Sequence, residues 1–256
     1  MKIFLMSITR IFIITLLYSA CAYAFAAAPA GNHLAIKRHF DLPPSAELNY
    51  AISARQSGIP INGDAVVKWQ TDGRKFNIEA IFNAMIVGKI LEAKSSGKID
   101  DYGLAPAQFI DKRFRKNSTT TTFNRNSNGG TITYSQSDAS YQLKGGEQDR
   151  TSIVWQLVAI ARAAVQQFKP GSNWIFFVAG QRDAESWTFK VVRREKITTG
   201  MGTLDAVHIF RAPPPDATGQ RLDIWLAPSL EWYPIRVRFT DQNNDFVDQI
   251  LDKINK

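Results

Sequence analysis

The apolar positions of the chain form one helical segment and a series of alternating segments. From Asp149 to Gln167, apolar residues recur at nearly every angle around a helix and not along a single stripe. Asp149 suits the N-cap, Ser152 can support the first turn, and Pro170-Gly171 ends the pattern. The sequence therefore predicts a helix at about residues 150–167 that is buried on more than one side.

Alternation of apolar and polar residues predicts strands in most of the remaining chain. The first three lie at 47–54, 64–70 and 75–82, and Asp72-Gly73 between the last two is typical of a tight hairpin turn. These three strands form a meander. Further strands are predicted at 85–94, 108–116, 119–125, 131–135, 174–179, 187–197, 204–211, 222–226, 235–240 and 246–254.

Two of these segments are ambiguous between strand and short helix. Residues 85–94 are interpreted as a strand because Gly88 lies in their middle, whereas 246–254 fit either a strand or a short amphipathic helix. Ser95-Ser96-Gly97 is predicted to be a turn and residues 137–140 a polar loop.

The pattern as a whole predicts a mainly β fold. We expect a strongly curved antiparallel sheet, an open half-barrel, wrapped around one central α-helix. Residues 174–179 are apolar without a break, which predicts a strand buried on both faces and lying against the helix. Residues 46–256 are interpreted as a single β-rich domain, and 25–45, which have no period, as a linker.

The first 24 residues have the features of an export signal. Lys2 and Arg10 give a positive start, an apolar run follows, and Ala22-Tyr23-Ala24 provides a cleavage site. We therefore expect residues 1–24 to be a signal peptide of the Sec type and the mature protein to be periplasmic.

Two alternatives would tie the chain to a membrane. Residues 11–30 carry no charge and could serve as an uncleaved anchor. Cys21, the one cysteine of the chain, could carry a lipid, although Tyr18 fits a lipoprotein signal poorly.

The formal net charge of +8 bears on the partners of an exported protein. Such a protein meets anionic lipid headgroups and envelope polymers. One group of cations lies on adjacent predicted strands: Lys112, Arg113, Arg115, Lys116 and Arg125. It is either a solvated outer face or a patch for an anionic envelope polymer. Nucleic acid is not expected, because export removes the protein from it and no stacking platform is evident.

Residues suited to catalysis are sparse. Of the three histidines, His33 and His39 lie in the linker, and His208 lies within a strand, where a residue that is either exposed or hydrogen-bonded on the sheet face is expected. There is no Gly-x-Ser-x-Gly nucleophile motif. A hydrolase would need Glu147, Asp149 and Glu185 to converge in a wet cleft. We therefore expect no enzyme and no cofactor.

Metal ligands are equally sparse, since no two histidines have ligand spacing on one element. The segment from Asp241 to Asp245 begins like a calcium loop, but Phe246 stands where glycine is required. A polar hairpin is the expected structure there.

Several short motifs, in this order, give the chain a family resemblance: Leu104-Ala105-Pro106 with Phe109, Gly146 to Ser152, Gly200 to Thr203, Trp225 to Pro228 and Tyr233 to Val237. The chain resembles an exported bacterial family known as domain of unknown function 3108. It departs from the family at Asn243-Asn244, where a glycine turn is expected. The resemblance implies a periplasmic envelope protein with a curved sheet around a helix. That shape is similar to the periplasmic lipoprotein carriers, which hold acyl chains between sheet and helix, and it carries over no catalytic residue.

The functional hypothesis is a non-enzymatic envelope protein that binds a lipid or the acyl chain of a lipoprotein between helix and sheet. The candidate ligand contacts are Trp155, Trp174, Phe176, Trp69, Asp149 and Arg150. For Asp149 and Arg150, a helix cap with a salt bridge is the alternative. The alternative function is a structural or protein-interaction module of the envelope whose core is filled.

Overall fold

The computed structural model of the protein describes residues 33–126, 129–211 and 221–255. The predicted signal peptide, Cys21 and the prolines at 213–215 lie outside these residues. Within them, the fold is mainly β, with one α-helix and one large unclosed sheet.

The helix, α1, spans Ser152–Ala163. The strands are β1 (Ala46–Gln56), β2 (Ile59–Thr71), β3 (Lys75–Ala84), β4 (Gly88–Asp100), β5 (Gly103–Arg113), β6 (Thr119–Asn126), β7 (Gly129–Tyr134), β8 (Ser137–Gln142), β9 (Gln148–Asp149), β10 (Asn173–Ala179), β11 (Ala184–Thr199), β12 (Gly202–Arg211), β13 (Arg221–Leu226), β14 (Pro234–Thr240) and β15 (Phe246–Asn255).

The strands of the described residues form one sheet in the order β8-β7-β6-β5-β4-β3-β2-β1-β15-β14-β13-β12-β11-β10-β9. Neighbours along the chain pair antiparallel, and the antiparallel pairing of β1 with β15 joins the two halves. Only the two-residue strand β9 pairs parallel, with β10, and α1 makes the connection between them. This connection brings the helix back over one face of the sheet.

The predicted meander of β1, β2 and β3 is confirmed. At its tight turn, Asp72 Oδ1 accepts the N–H groups of Arg74 and Lys75 at 2.8 and 2.7 Å. The β14–β15 hairpin also forms: Asp241 Oδ1 accepts the N–H groups of Asn243 and Asp245. Asn244 takes a φ of 59° there, so it adopts the left-handed conformation expected of a family glycine.

Two predicted breaks in the sheet were wrong. β4 runs through Ser95-Ser96-Gly97, because Ser95 turns inward to a buried partner and the pairing with β5 absorbs an irregularity between Ser96 and Gly97. Residues 137–140, predicted as a loop, begin β8. The two ambiguous segments, 85–94 and 246–254, lie largely within strands β4 and β15.

The helix is shorter than predicted at both ends. Asp149 belongs to β9, and the helix begins only at Ser152. At the other end, α1 stops at Ala163, and the N–H of Phe168 donates to Ala164 O at 2.9 Å. This tight turn brings Phe168 into the core, where it is fully buried.

The predicted burial of the helix on more than one side is confirmed. Ile153, Leu157 and Ile160 are fully buried and pack with apolar residues of β10 to β14. Trp155, which is 2% exposed, belongs to a second cluster that takes residues from both flanks, and its ring stacks on Trp69 of β2 at 4.7 Å. The two flanks of the sheet therefore contact different sides of the same helix.

Strand β10 departs from the prediction of burial along its whole length. Phe176 to Ala179 are buried, but Ile175 is half exposed and Trp174 is only partly buried. The reason is that β9 pairs with β10 at Val178 and Ala179 alone. Beyond that point, Arg38 Nη2 donates to Ile175 O at 2.8 Å and covers the unpaired edge.

The segment 33–45 has no helix or strand, as expected of a linker, but it packs along the fold. The N–H of Asp41 donates to Ala159 O of the helix at 2.9 Å. The carbonyls of Pro43 and Pro44 accept hydrogen bonds from Trp69 Nε1 and the Tyr233 hydroxyl. The segment thus fixes the helix to β2 and to the residues before β14.

Replacing Trp155 with alanine tests how much the fold depends on this packing. We expect Trp155→Ala to lower the free energy of unfolding by about 3–5 kcal/mol, because it empties a large site between helix and sheet. Val165→Ala, at a position that is 41% exposed, serves as the control and should change it by less than about 0.5 kcal/mol. Denaturant titration measures both values, and equal stabilities would contradict this assignment.

Candidate functional site

Two of the predicted ligand contacts, Trp69 and Trp155, stack on each other in the core. Their ring centroids are 4.7 Å apart with an interplanar angle of 10°. Tyr233 meets Trp155 edge-on at 6.1 Å, and Trp69 Nε1 donates to Pro43 O at 3.0 Å. Each ring is in contact with another ring, so this part of the helix–sheet interface is filled.

Trp174 and Phe176 lie in a second aromatic group at β10. The Arg38 guanidinium lies 4.5 Å from the centroid of Phe176 and 6.0 Å from that of Trp174. Phe176 is buried, whereas Trp174 is partly exposed and donates to Ser172 Oγ. The structure therefore places the four predicted aromatic contacts in two separate groups.

Asp149 is fully buried and caps the helix from β9. Its Oδ1 accepts the N–H groups of Thr151 and Ser152 at 2.8 Å each, and Ser95 Oγ donates to Oδ2 at 2.5 Å. Its own N–H donates to Ser152 Oγ at 2.9 Å, which completes a reciprocal cap. Burial raises the pKa of Asp149 to about 6, against the lowering effect of these hydrogen bonds.

Arg150 points away from Asp149 and is exposed. Its guanidinium packs against Gly180. A Cβ added at Gly180 would lie only 2.8 Å from Arg150 Nη2, so a larger residue there would collide with the arginine. The capping role of Asp149 is thus present, and its carboxylate bonds to Ser95 and the helix backbone instead of forming the predicted salt bridge with Arg150.

Sequence reasoning missed a buried polar contact between His33 and Glu147. His33 Nε2 lies 2.7 Å from Glu147 Oε1, and the His33 ring stacks on Phe177 at 4.1 Å. Burial opposes ionisation of Glu147, but hydrogen bonds from His33 and from the N–H groups of Lys144 and Gly145 outweigh it and lower its pKa to about 2. The contact ties segment 33–45 to the start of β9.

The carboxylates required for a hydrolase do not converge. Glu147 and Asp149 are fully buried in separate hydrogen-bonded sites, and Glu185 bonds to Arg211 and Trp187. His208 is buried on its strand, with Nε2 2.7 Å from Asp223 Oδ1 and its ring stacked on Trp225 at 4.5 Å. Of the two arrangements predicted for it, the hydrogen-bonded one is confirmed.

The predicted basic cluster is divided by the structure. Lys112, Arg113, Arg115 and Lys116 are exposed at the end of β5 and the turn that follows. Arg125 lies near the far end of β6, where its side chain is 29% exposed, donates to Pro106 O and lies 3.7 Å from Glu147 Oε2. Burial lowers the pKa of Arg125, although Glu147 opposes the shift. It is therefore not part of an exposed patch with the other four.

The helix covers only one end of the face against which it packs. Arg162, near its C-terminus, bonds to Glu231 in the turn before β14. Trp155 and Gln156 contact the ends of the strands that carry Trp69 and Leu104. The opposite ends of the strands therefore extend beyond the helix.

A cavity of about 220 Å³ opens at those opposite ends, between β1 to β4 on one side and β14–β15 on the other. Its apolar lining residues lie on the inner faces of the strands. Ile52 is two positions beyond Tyr50 on β1, and Phe239 is two positions beyond Val237 on β14, so each pair shares one face. The apolar lining residues include Ile52, Ala54, Ile61, Phe82, Phe239 and Val247. We call this cavity the mouth.

The edge of the mouth is polar and held by hydrogen bonds. Asp245 Oδ2 accepts the N–H of Ser57 at 2.6 Å, and Arg55 Nη2 donates to Asn244 O at 2.9 Å. The Arg55 guanidinium also lies 5.5 Å from the Phe246 ring centroid. An apolar interior whose edge carries one cation, Arg55, and two carboxylates, Asp241 and Asp245, suits a molecule with an apolar chain and a polar end.

Sequence reasoning missed the mouth because its lining residues alternate like core residues. None of the six predicted contacts lines it. A larger depression of about 620 Å³, lined by Gln70, Asp72, Lys75 and Lys98 among others, is a wide open groove with many polar groups. The mouth is therefore the better candidate for an apolar ligand.

Residues 48–250 match the sequence pattern of the family described as protein of unknown function DUF3108. The chain belongs to this family. A comparison with curated protein sequences finds no match.

Solved structures show how this family member folds. A beta-barrel-like protein of domain of unknown function DUF1849 from Brucella abortus is similar, with a TM-score of 0.56 and 14% identity over 84% of this chain and 98% of its own. A candidate exported protein with a YmcC-like fold from Bacteroides fragilis gives a TM-score of 0.37 and 8% identity over 86% of this chain and 100% of its own. The first likeness shows the fold alone.

Two findings concern residues 33–126, 129–211 and 221–255. No helix there is long and apolar enough to cross a bilayer. No group of three or more His, Cys, Asp or Glu side chains there could hold a metal ion.

The cap formed by Asp149 leads to a prediction about stability. Asp149→Ala leaves the N–H groups of Thr151 and Ser152 at the helix start, and the Ser95 hydroxyl, without their acceptor. We therefore expect a loss of about 2 kcal/mol in the free energy of unfolding. Asp149→Asn keeps an oxygen acceptor and should lose less. Denaturant titration of the two variants and the wild type checks this order, and an alanine variant as stable as the wild type would refute it.

The raised pKa of Asp149 adds a pH dependence. The folded state binds this proton more tightly than the unfolded chain, so the stabilising contribution is complete below about pH 4 and is lost as pH rises through about 6. The difference in free energy of unfolding between wild type and Asp149→Asn should change within this window and level off above it. A constant difference throughout would show that the carboxyl does not titrate there.

Proposed function

We propose that this protein is an exported, non-enzymatic protein of the cell envelope that holds an acyl chain of a lipid or lipoprotein in the mouth of its sheet. The sheet is an open half-barrel wrapped around α1. The observation that carries the proposal is the apolar cavity left on the concave face where the helix ends.

Burial of the helix supports this architecture. Residues on different sides of α1 pack against β10 to β14 and against Trp69 of β2, so the two flanks of the sheet curve toward each other over it. The helix and the stacked pair Trp69 and Trp155 fill one half of the concave face. The other half keeps apolar residues without a helix to cover them.

The size of the mouth indicates how a ligand is held. At about 220 Å³ it is smaller than the roughly 300–1,000 Å³ of pockets that enclose a whole drug-sized ligand. It accommodates the end of one acyl chain, while the polar part of the molecule remains outside beside Arg55. That Trp69, Trp155, Trp174 and Phe176 contact a ligand remains a prediction. The close packing of these rings favours a role in the core.

Export is the other part of the proposal. The leader at residues 1–24 supports a periplasmic protein, with attachment through a lipid on Cys21 as the alternative.

The intact mass of protein purified from the envelope of cells expressing the full chain distinguishes these outcomes. We expect a mature protein that begins at Phe25. A mass that includes an acylated Cys21 would establish the lipid-anchored alternative, and an uncleaved chain would contradict processing.

Filling the mouth tests ligand binding. Ala54→Phe places a ring in the cavity, whereas Ala51→Phe, on the exposed face of the same strand, is the matched control. We expect binding of a fluorescent fatty acid to weaken about tenfold or more in Ala54→Phe, because the ring excludes the chain from the apolar space. Ala51→Phe should bind like the wild type.

Lipid extraction from the purified wild type completes this test. Recovery of a phospholipid or fatty acid by organic solvent, and its loss in Ala54→Phe, supports the proposal. A wild type that yields no lipid and binds no fatty acid would favour the alternative, an envelope module that acts through protein contacts, which the filled aromatic core also suits.

A further inference from the structure

The two most exposed large apolar side chains among the described residues, Ile86 and Met85, lie together with Val87 at the tip of the β3–β4 hairpin. Met85 is 80% exposed, Ile86 98% and Val87 50%. The N–H of Val87 donates to Ala84 O at 3.2 Å and Gly88 takes a φ of 75°, so Gly88 meets the conformational demand of the turn. Small polar residues are the usual occupants of such a tip. The fold therefore does not require Met85, Ile86 or Val87 to be apolar.

The neighbouring β5–β6 turn has the same character. Phe114 is 44% exposed, and its N–H donates to Ile90 O at 2.8 Å, which places the two turns side by side. Arg115 takes a φ of 54°, a left-handed conformation that costs a non-glycine residue stability. Its guanidinium lies 4.9 Å from the Phe114 ring centroid. A turn that only connects two strands requires neither a non-glycine residue at positive φ nor an exposed phenylalanine.

Cations surround this apolar tip, and most of the nearby acids are paired with a cation. The exception is the exposed Asp64, which accepts a hydrogen bond from Asn83 Nδ2 at 2.8 Å. Lys112, Arg115 and Lys116 are exposed. Of the acids on the same strands, Asp111 pairs with Arg113 at 3.2 Å, and Glu92 pairs with Lys89 and Lys94 at 2.6 and 2.9 Å. The tip therefore presents a local excess of positive charge.

The tip lies at the end of the sheet where the mouth opens. The N–H of Met85 donates to Asn62 O at 3.0 Å, and Asn62 and Ala84 line the mouth. We call Met85, Ile86, Val87 and Phe114, together with Lys112, Arg115 and Lys116, the rim.

We propose that the rim docks this protein onto the surface of an anionic phospholipid bilayer. The four apolar side chains enter the boundary between headgroups and acyl chains, and the three cations contact the anionic headgroups. Charge complementarity selects this occupant, because flexible cations around aliphatic tips match a fluid anionic surface without a defined hydrogen-bond pattern. Docking through the rim is independent of whether the mouth holds a ligand.

Vesicle flotation with the mature protein tests the docking surface. The vesicles contain either phosphatidylcholine alone or phosphatidylcholine with phosphatidylglycerol. The apolar variant is Ile86→Ser and its control is Met201→Ser, a turn residue that is 44% exposed at the opposite end of the sheet. The charge variant is Lys112→Gln with Arg115→Asn and Lys116→Gln, since asparagine tolerates a positive φ. Its control removes three exposed cations elsewhere: Arg74, Lys98 and Lys253, each changed to glutamine.

We expect the wild type to bind anionic vesicles more tightly than neutral ones, with binding that weakens as salt is added. The charge variant should lose roughly fivefold per removed cation on anionic vesicles, and Ile86→Ser should lose affinity for both vesicle types. The two controls should stay near the wild-type value.

Failure of the wild type to bind anionic vesicles would overturn the inference, as would equal losses in the rim variants and their controls. Loss of a copurifying protein in Ile86→Ser, with vesicle binding unchanged, would assign the rim to a protein partner instead. Fatty-acid binding measured without vesicles should be unaffected by Ile86→Ser, so the rim and the mouth can fail independently.

Discussion

The fold depends on the burial of one apolar helix by both flanks of a single sheet. A helix that is apolar nearly all round cannot leave any side in water without a large cost. One flank supplies β10 to β14, and the other supplies the strands around Trp69. The pairing of β1 with β15 joins these flanks in one sheet. Burial of the helix by both flanks therefore requires the sheet to curve.

The position of the helix then decides what else the fold can do. Gln156 and Arg162 of α1 both bond to residues at one end of the strands. The helix therefore fills that end, together with segment 33–45, and leaves inner residues such as Ile52 and Phe239 around a cavity at the other end. The exposed apolar tip at Ile86 lies at the same end as the cavity. A cavity for a chain and a surface for a bilayer are thus brought together where the helix does not reach.

Much of this fold could be predicted from the sequence, because alternation is a local signal. The meander, the helix and most strands follow from periods of two and of nearly four residues. The β4 strand through Ser95-Ser96-Gly97 could not, since Ser95 is held in place by Asp149, which lies 54 residues away in the chain. The same reason hides the contact of His33 with Glu147, 114 residues apart.

The candidate site shows the limit more clearly. Ile52 alternates in its strand as Leu48 does and both are buried, yet only Ile52 also lines the mouth. Sequence indicates which face of the strand is inward, but not how far along the strand the helix reaches. The aromatic residues beside the helix were therefore predicted as ligand contacts, and the aliphatic residues beyond it were not.

The central claim is that the concave face is solid beside the helix and open beyond it. NMR contacts between a bound fatty acid and methyl-labelled protein test this most directly. The account predicts contacts from the terminal methyl of the fatty acid to Ile52 and Val247. Contacts to the rings of Trp69 and Trp155, with none in the mouth, would contradict it.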